Sequence, residues 1–131
     1  MVSPKDKTIL IIEDEETILE LFKFAIEREG FRTVTALNSF KALELVKVYR
    51  PALIILDMML PGKSGLEVLK LLQTSGYVHI PIIITSGRMP HDTMDKISKF
   101  EVNVREFFRK PLDTDKLVEK IHSILGTEKE E

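Results

Sequence analysis

Five times along the chain an apolar run of strand length is followed by a stretch of helical period, and that alternation leaves few architectures open. Each strand reaches the next, parallel one through a helix, so the sheet must be covered on both faces. The pattern predicts strands near residues 8–13, 32–36, 52–57, 80–86 and 104–109, and helices near 15–29, 39–48, 65–74, 92–101 and 113–125. Ile18, Leu21, Phe22, Ala25 and Ile26 form the first buried stripe, with Gly30 placed to end that helix in a left-handed conformation. Leu117, Val118, Ile121, Ile124 and Leu125 form the last, between Asp113 as cap and Gly126 as stop. Asn38–Ser39 reads as a further cap and Pro61–Gly62 as a turn.

A strand buried on both faces is continuously apolar, whereas an edge strand tolerates polar residues. Residues 9–12, 53–56 and 82–84 are continuous; FRTVT and VREFFR are not. The first, third and fourth strands are therefore expected at the centre, giving a doubly wound (βα)5 three-layer sandwich with the flavodoxin-like order 2-1-3-4-5. With 131 residues the chain holds one core: residues 1–126 are expected to be a single domain and 127–131 a frayed, charged tail.

Composition removes several classes of function. With no cysteine there is no thiol nucleophile, disulfide or thiolate metal site. A net charge of −2 gives no footprint for nucleic acid or an anionic membrane. No apolar run approaches a membrane span and the start MVSPKDKT lacks a signal peptide's apolar core, so a cytoplasmic protein is expected.

In sheets of this kind chemistry gathers outside the carboxyl ends of the strands. Strand one ends in Glu13-Asp14, strand three in Asp57, strand four in Thr85-Ser86-Gly87 and strand five in Lys110-Pro111. Carboxylates crowded there repel one another, and a hard divalent cation with oxygen ligands relieves that; magnesium suits a site that also takes phosphoryl oxygens. A carboxylate can act as nucleophile to give an acyl phosphate, whose oxygens need the positive charge and donors that a metal, a lysine and a hydroxyl supply.

The stretches ILIIEDEE, PALIILDMMLPGKSGLEVL, PIIITSG and EFFRKPLDTDKL, in that order, resemble the receiver domains of two-component response regulators from about residue 8 to about residue 125. The resemblance implies Asp57 as phosphoacceptor, Mg2+ held by Glu13, Asp14, Asp57 and the backbone carbonyl of Met59, and Lys110 on the phosphoryl group through an often cis Lys-Pro bond. It implies Ser86 as switch hydroxyl, with Thr85 second, and Phe107 as switch aromatic. Glu13 stands where aspartate is commoner, Ser86 where threonine is, and Asn103 where glycine is. Met59 and Arg88, flanking the acyl phosphate, suggest a long-lived phosphoprotein.

The implied donor is a sensor histidine kinase or phosphotransfer protein, docking near Thr17, Ile18, Phe22 and Leu112. Phosphorylation would remodel the face made by the helices predicted at 92–101 and 113–125 and the strand between them, read by an unidentified downstream protein. A monomer or weak dimer is expected. The alternatives are a receiver-like docking scaffold that is never phosphorylated, which intact Asp57, Asp14 and Lys110 oppose, and an aspartyl-phosphate hydrolase, which Met59 in the place of a second acid opposes. A flavin site lacks its phosphate loop. His79, His91 and His122 show no ligand spacing and receive no role.

Overall fold

The computed structural model describes residues 3–61, 64–87 and 103–129. The predicted helix at 92–101, together with Gly62, Arg88 and His91, lies outside them.

The elements are β1 (Thr8–Ile12), α1 (Glu16–Arg28), β2 (Arg32–Ala36), α2 (Ala42–Tyr49), β3 (Leu53–Asp57), α3 (Gly65–Thr74), β4 (Ile82–Ser86), β5 (Val104–Arg109) and α4 (Thr114–Leu125). All strand pairs are parallel, in the order β2-β1-β3-β4-β5. The edge strands are the two interrupted by polar residues, as the pattern predicts. Single 3-10 turns add Pro4–Asp6 before β1 and Ser39–Lys41 before α2. Asn38 caps the second, its Oδ1 accepting from the Phe40 N–H at 3.0 Å.

The two faces of the sheet carry separate cores. Leu10, Ile12, Ile54, Leu56, Ile82 and Ile84 pack under α2 and α3, and Phe107 leans on that cluster. Ile9, Ile11, Leu53, Ile55 and Ile83 pack under α1 and α4. Strand alternation sorts them.

Both caps predicted for the last helix are present. Asp113 Oδ1 accepts from the Asp115 N–H at 2.8 Å, and Gly126 ends α4 at φ 66°. Gly30, after α1, lies at φ 106°.

Two expectations fail on α1. Leu21 is 53% exposed, and Leu19, one position outside the predicted stripe on the other side, is buried in its stead. Phe22 is 2% exposed and so cannot meet a partner protein. The stripe is rotated: Leu19, Phe22, Ala25 and Ile26 face the sheet, and Leu21 and Phe24 face outward.

The residues after α4 are not frayed throughout. Thr127 is 2% exposed; its N–H donates to the His122 carbonyl at 3.1 Å and its hydroxyl meets His122 Nδ1 at 2.8 Å. His122 Nε2 meets Glu29 Oε1 at 2.9 Å, and its ring lies 5.0 Å from that of Phe31. Lys129 reaches Glu29 Oε2 at 3.6 Å. One histidine thus fastens the segment after α4 to the turn between α1 and β2.

Candidate functional site

The pleat delivers the rim residues to one place. Glu13 lies two residues past Ile11, Asp57 two past Ile55 and Lys110 two past Phe108, all on the α1–α4 side of the sheet. Backbone pairing runs one residue beyond β1 and β5: the Glu13 N–H donates to the Ala36 carbonyl at 3.0 Å, and the Lys110 N–H to the Ser86 carbonyl at 2.9 Å. The Lys110–Pro111 peptide is cis, as the resemblance implies.

Lys110 Nζ donates to Glu13 Oε1 and, at 3.3 Å, to Asp57 Oδ2. Asp57 Oδ1 accepts from the Met59 N–H at 3.0 Å, and Glu13 Oε2 from the Glu15 N–H at 3.2 Å. Asp57 and Glu13 are buried, whereas Asp14 is exposed at the mouth. One carboxylate oxygen from each of the three lies within 4.8 Å of the others.

Three carboxylates against one ammonium would leave two negative charges in a half-dry space if all were ionised. Burial raises the Glu13 carboxyl from 4.5 to about 7; the Lys110 hydrogen bond works against that rise and Asp57 adds to it. Burial also acts to lower the Lys110 ammonium, but Glu13 and Asp57 outweigh it and hold Lys110 above its ordinary value. Hard oxygen donors with an excess of negative charge fit a hard divalent cation, and Glu13, Asp14 and Asp57 are the residues that would hold it.

Ser86 closes β4 and is buried, and Thr85, also buried, sits opposite Asp57 in the β3–β4 register. Phe107 is half-buried on the opposite face of the sheet from Asp57. The Met59 side chain is 63% exposed, while its N–H steadies Asp57. Asn103 is 6% exposed; it accepts from Gln73 Nε2 and donates to the Ile80 carbonyl, each at 2.7 Å, tying α3 to the approach of β4 and β5.

Sequence reasoning passed over Gly65. A Cβ there would lie 2.6 Å from Met58 Cα and 2.9 Å from the Asp57 carbonyl, so only glycine lets α3 start this close to the acceptor strand. A helix-start signal was present beside it, since Ser64 accepts from the Glu67 N–H at 3.4 Å, as a Ser-x-x-Glu pair does.

The response regulator receiver domain family matches residues 9–122. This chain belongs to that family. The receiver is 34% identical over 121 residues to the polar-differentiation response regulator DivK of Brucella anthropi, covering 92% of this chain and 97% of DivK. It is 36% identical over 120 residues to the phosphate regulon transcriptional regulatory protein PhoB of Pseudomonas aeruginosa, covering 91% of this chain and 52% of PhoB, about half of that relative's length. A receiver domain structure from Clostridium thermocellum superimposes with a TM-score of 0.78 at 28% identity over 92% of this chain and 94% of that one. A CheY-like receiver from Methanospirillum hungatei gives 0.83 at 24% identity, a likeness of fold, covering 92% and 94%.

Receiver domains are signalling switches of two-component systems that work with histidine kinases or phosphotransfer proteins and with downstream effectors. The acidic group of this receiver is compatible with Mg2+ and a phosphoaspartate. No described helix is long and apolar enough to cross a membrane.

Proposed function

We propose that the receiver accepts a phosphoryl group on Asp57 and thereby switches the surface its effector reads. The observation that carries this is the setting of Asp57: a buried carboxylate held between the Lys110 ammonium and the Met59 N–H, beside Glu13 and Asp14. Glu13, Asp14, Asp57 and the Met59 carbonyl would hold Mg2+, which when bound supplies positive charge to the phosphoryl oxygens. An Asp57 oxygen attacks phosphorus, the bond from phosphorus to the donor's histidine nitrogen breaks, and the leaving imidazole keeps that electron pair.

Lys110 is the group that moves on phosphorylation. It pairs with Glu13 and Asp57 beforehand, and the added phosphoryl charge gives it a stronger partner. Ser86 then serves the phosphoryl oxygens and Phe107 follows, altering the face around β5 and α4.

Thr17 and the half-buried Ile18 and Leu112 remain available to a kinase or phosphotransfer protein, and the exposed Leu21 and Phe24 on α1 give that contact an apolar centre. A cytoplasmic receiver, monomeric or weakly dimeric, fits such partners. Its domain boundary lies past Thr127, whose burial supports the shift from Gly126.

The test is incubation with magnesium and acetyl phosphate, followed by intact mass for the wild type and Asp57→Asn. Gain of one phosphoryl group by the wild type alone, abolished by chelation, is expected. No gain while magnesium still binds would overturn the phosphoacceptor reading and leave a docking scaffold.

A further inference from the structure

A valine would fill the space of Thr85, so a hydroxyl buried there calls for a reason. Thr85 is 0% exposed and its Oγ1 has no hydrogen-bond partner among the described residues. A buried hydroxyl left unpaired destabilises the fold that contains it. Thr33 Oγ1 is unpaired as well, but on edge strand β2 opposite Ile9, toward the far end of the sheet. Want of a partner does not mark a site; the position of Thr85 does.

The register sets Thr85 opposite Asp57 on one side and Phe108 on the other. Alternation turns Asp57 and Thr85 to the face of Ile55 and Ile83, where Phe108 packs. The Thr85 backbone is committed, its carbonyl accepting from the Met58 N–H at 3.0 Å, so the strand holds the hydroxyl in place. Among the described residues Asp57 has one donor on each oxygen, Met59 N–H on Oδ1 and Lys110 on Oδ2, and a carboxylate has acceptor capacity beyond that.

We infer that Thr85 Oγ1 is a positioning donor for Asp57. It is unengaged while Lys110 pairs with the carboxylate, and it donates to the Asp57 carbonyl oxygen once Lys110 has moved to the transferred phosphoryl group. This rests on Asp57 as phosphoacceptor. Departure of Lys110 removes a donor from Asp57 just as transfer proceeds, and Thr85, one strand away, gives up no existing bond to replace it. The unpaired hydroxyl therefore raises the free energy of the arrangement before transfer relative to the one after it.

The experiment compares the wild type, Thr85→Val and Thr85→Ser with acetyl phosphate and magnesium, reading the rate of phosphoryl gain by mass and the melting temperature without donor. Thr85→Val is expected to melt higher than wild type yet gain phosphoryl about tenfold more slowly, the loss of the one hydrogen bond that replaces Lys110 on Asp57 as transfer proceeds. Thr85→Ser restores most of the rate. A merely structural hydroxyl moves both readouts in the same direction, so Thr85→Val that melts lower and reacts slower overturns the proposal. So does Thr85→Val that reacts at the wild-type rate. A wild type that binds magnesium but gains no phosphoryl group defeats the Asp57 reading itself, and this proposal with it.

Discussion

Glu13 is where pH acts on this receiver. Its carboxyl rises from 4.5 to about 7 on folding, so between those values the folded chain binds a proton that the unfolded chain releases. The stability this contributes is fully present below about 4.5 and is lost as pH rises through about 7, a difference of up to about 3 kcal/mol. The metal-free protein should therefore melt higher near about pH 5 than near about pH 8. A divalent cation favours the charged carboxylate, so magnesium should stabilise most at the upper end. Glu13→Gln should flatten the dependence between those two pH values; a melting curve with the wild-type slope would assign the effect elsewhere. Gly65 belongs to the same scale. Gly65→Ala forces its Cβ into Met58 and the Asp57 carbonyl, and should cost about 1–3 kcal/mol by thermal denaturation while slowing phosphorylation. The carboxylates were legible from sequence because each follows an apolar run at a strand end, and Lys110 because it stands before a proline at the end of the last strand. Gly65 was not, because its constraint is a backbone 2.6 Å away, contributed by another element.

At the scale of the element, α1 is the helix whose orientation sequence left undetermined. Leu19 and Leu21 are both apolar, and either satisfies a 3.6-residue stripe containing Phe22, Ala25 and Ile26. Packing settles the choice: Leu19 enters the cluster shared with the central strands and α4, which leaves Leu21 and Phe24 in solvent, with Arg28 lying 5.8 Å over the Phe24 ring. Leu21→Glu with Phe24→Glu should leave the unfolding free energy within about 0.5 kcal/mol of wild type, since neither side chain is buried. The same pair should slow phosphotransfer from a cognate kinase while acetyl phosphate, which needs no docking, works at the wild-type rate. Equal loss with both donors would place the defect in the site. The helix ends were better specified than the faces: Asp113 caps α4 as its sequence position implies, and Asp113→Ala should cost about 1 kcal/mol.

For the molecule as a whole, strand order was readable because burial on two faces demands continuous apolar sequence. Residues of β1, β3 and β4 are almost wholly excluded from water, while β2 and β5 keep polar side chains at the edges. Ile55→Ala should cost about 2–5 kcal/mol in denaturant unfolding, and Val34→Ala on the edge strand much less. What the pattern could not convey was how the far end of the sheet is closed, because Glu29 is distant in sequence from His122 and Thr127 and none of the three has a motif around it. That closure has a chemical peculiarity. A carboxylate on Nε2 wants a proton there in every state of the ring, and a threonine hydroxyl on Nδ1 can offer its hydrogen to a bare nitrogen or take one from a protonated nitrogen. With both ring nitrogens taken, the clasp works as a pin at the base of the receiver, tying the segment after α4 and the turn before β2 to one imidazole at the end of the sheet opposite the carboxylates.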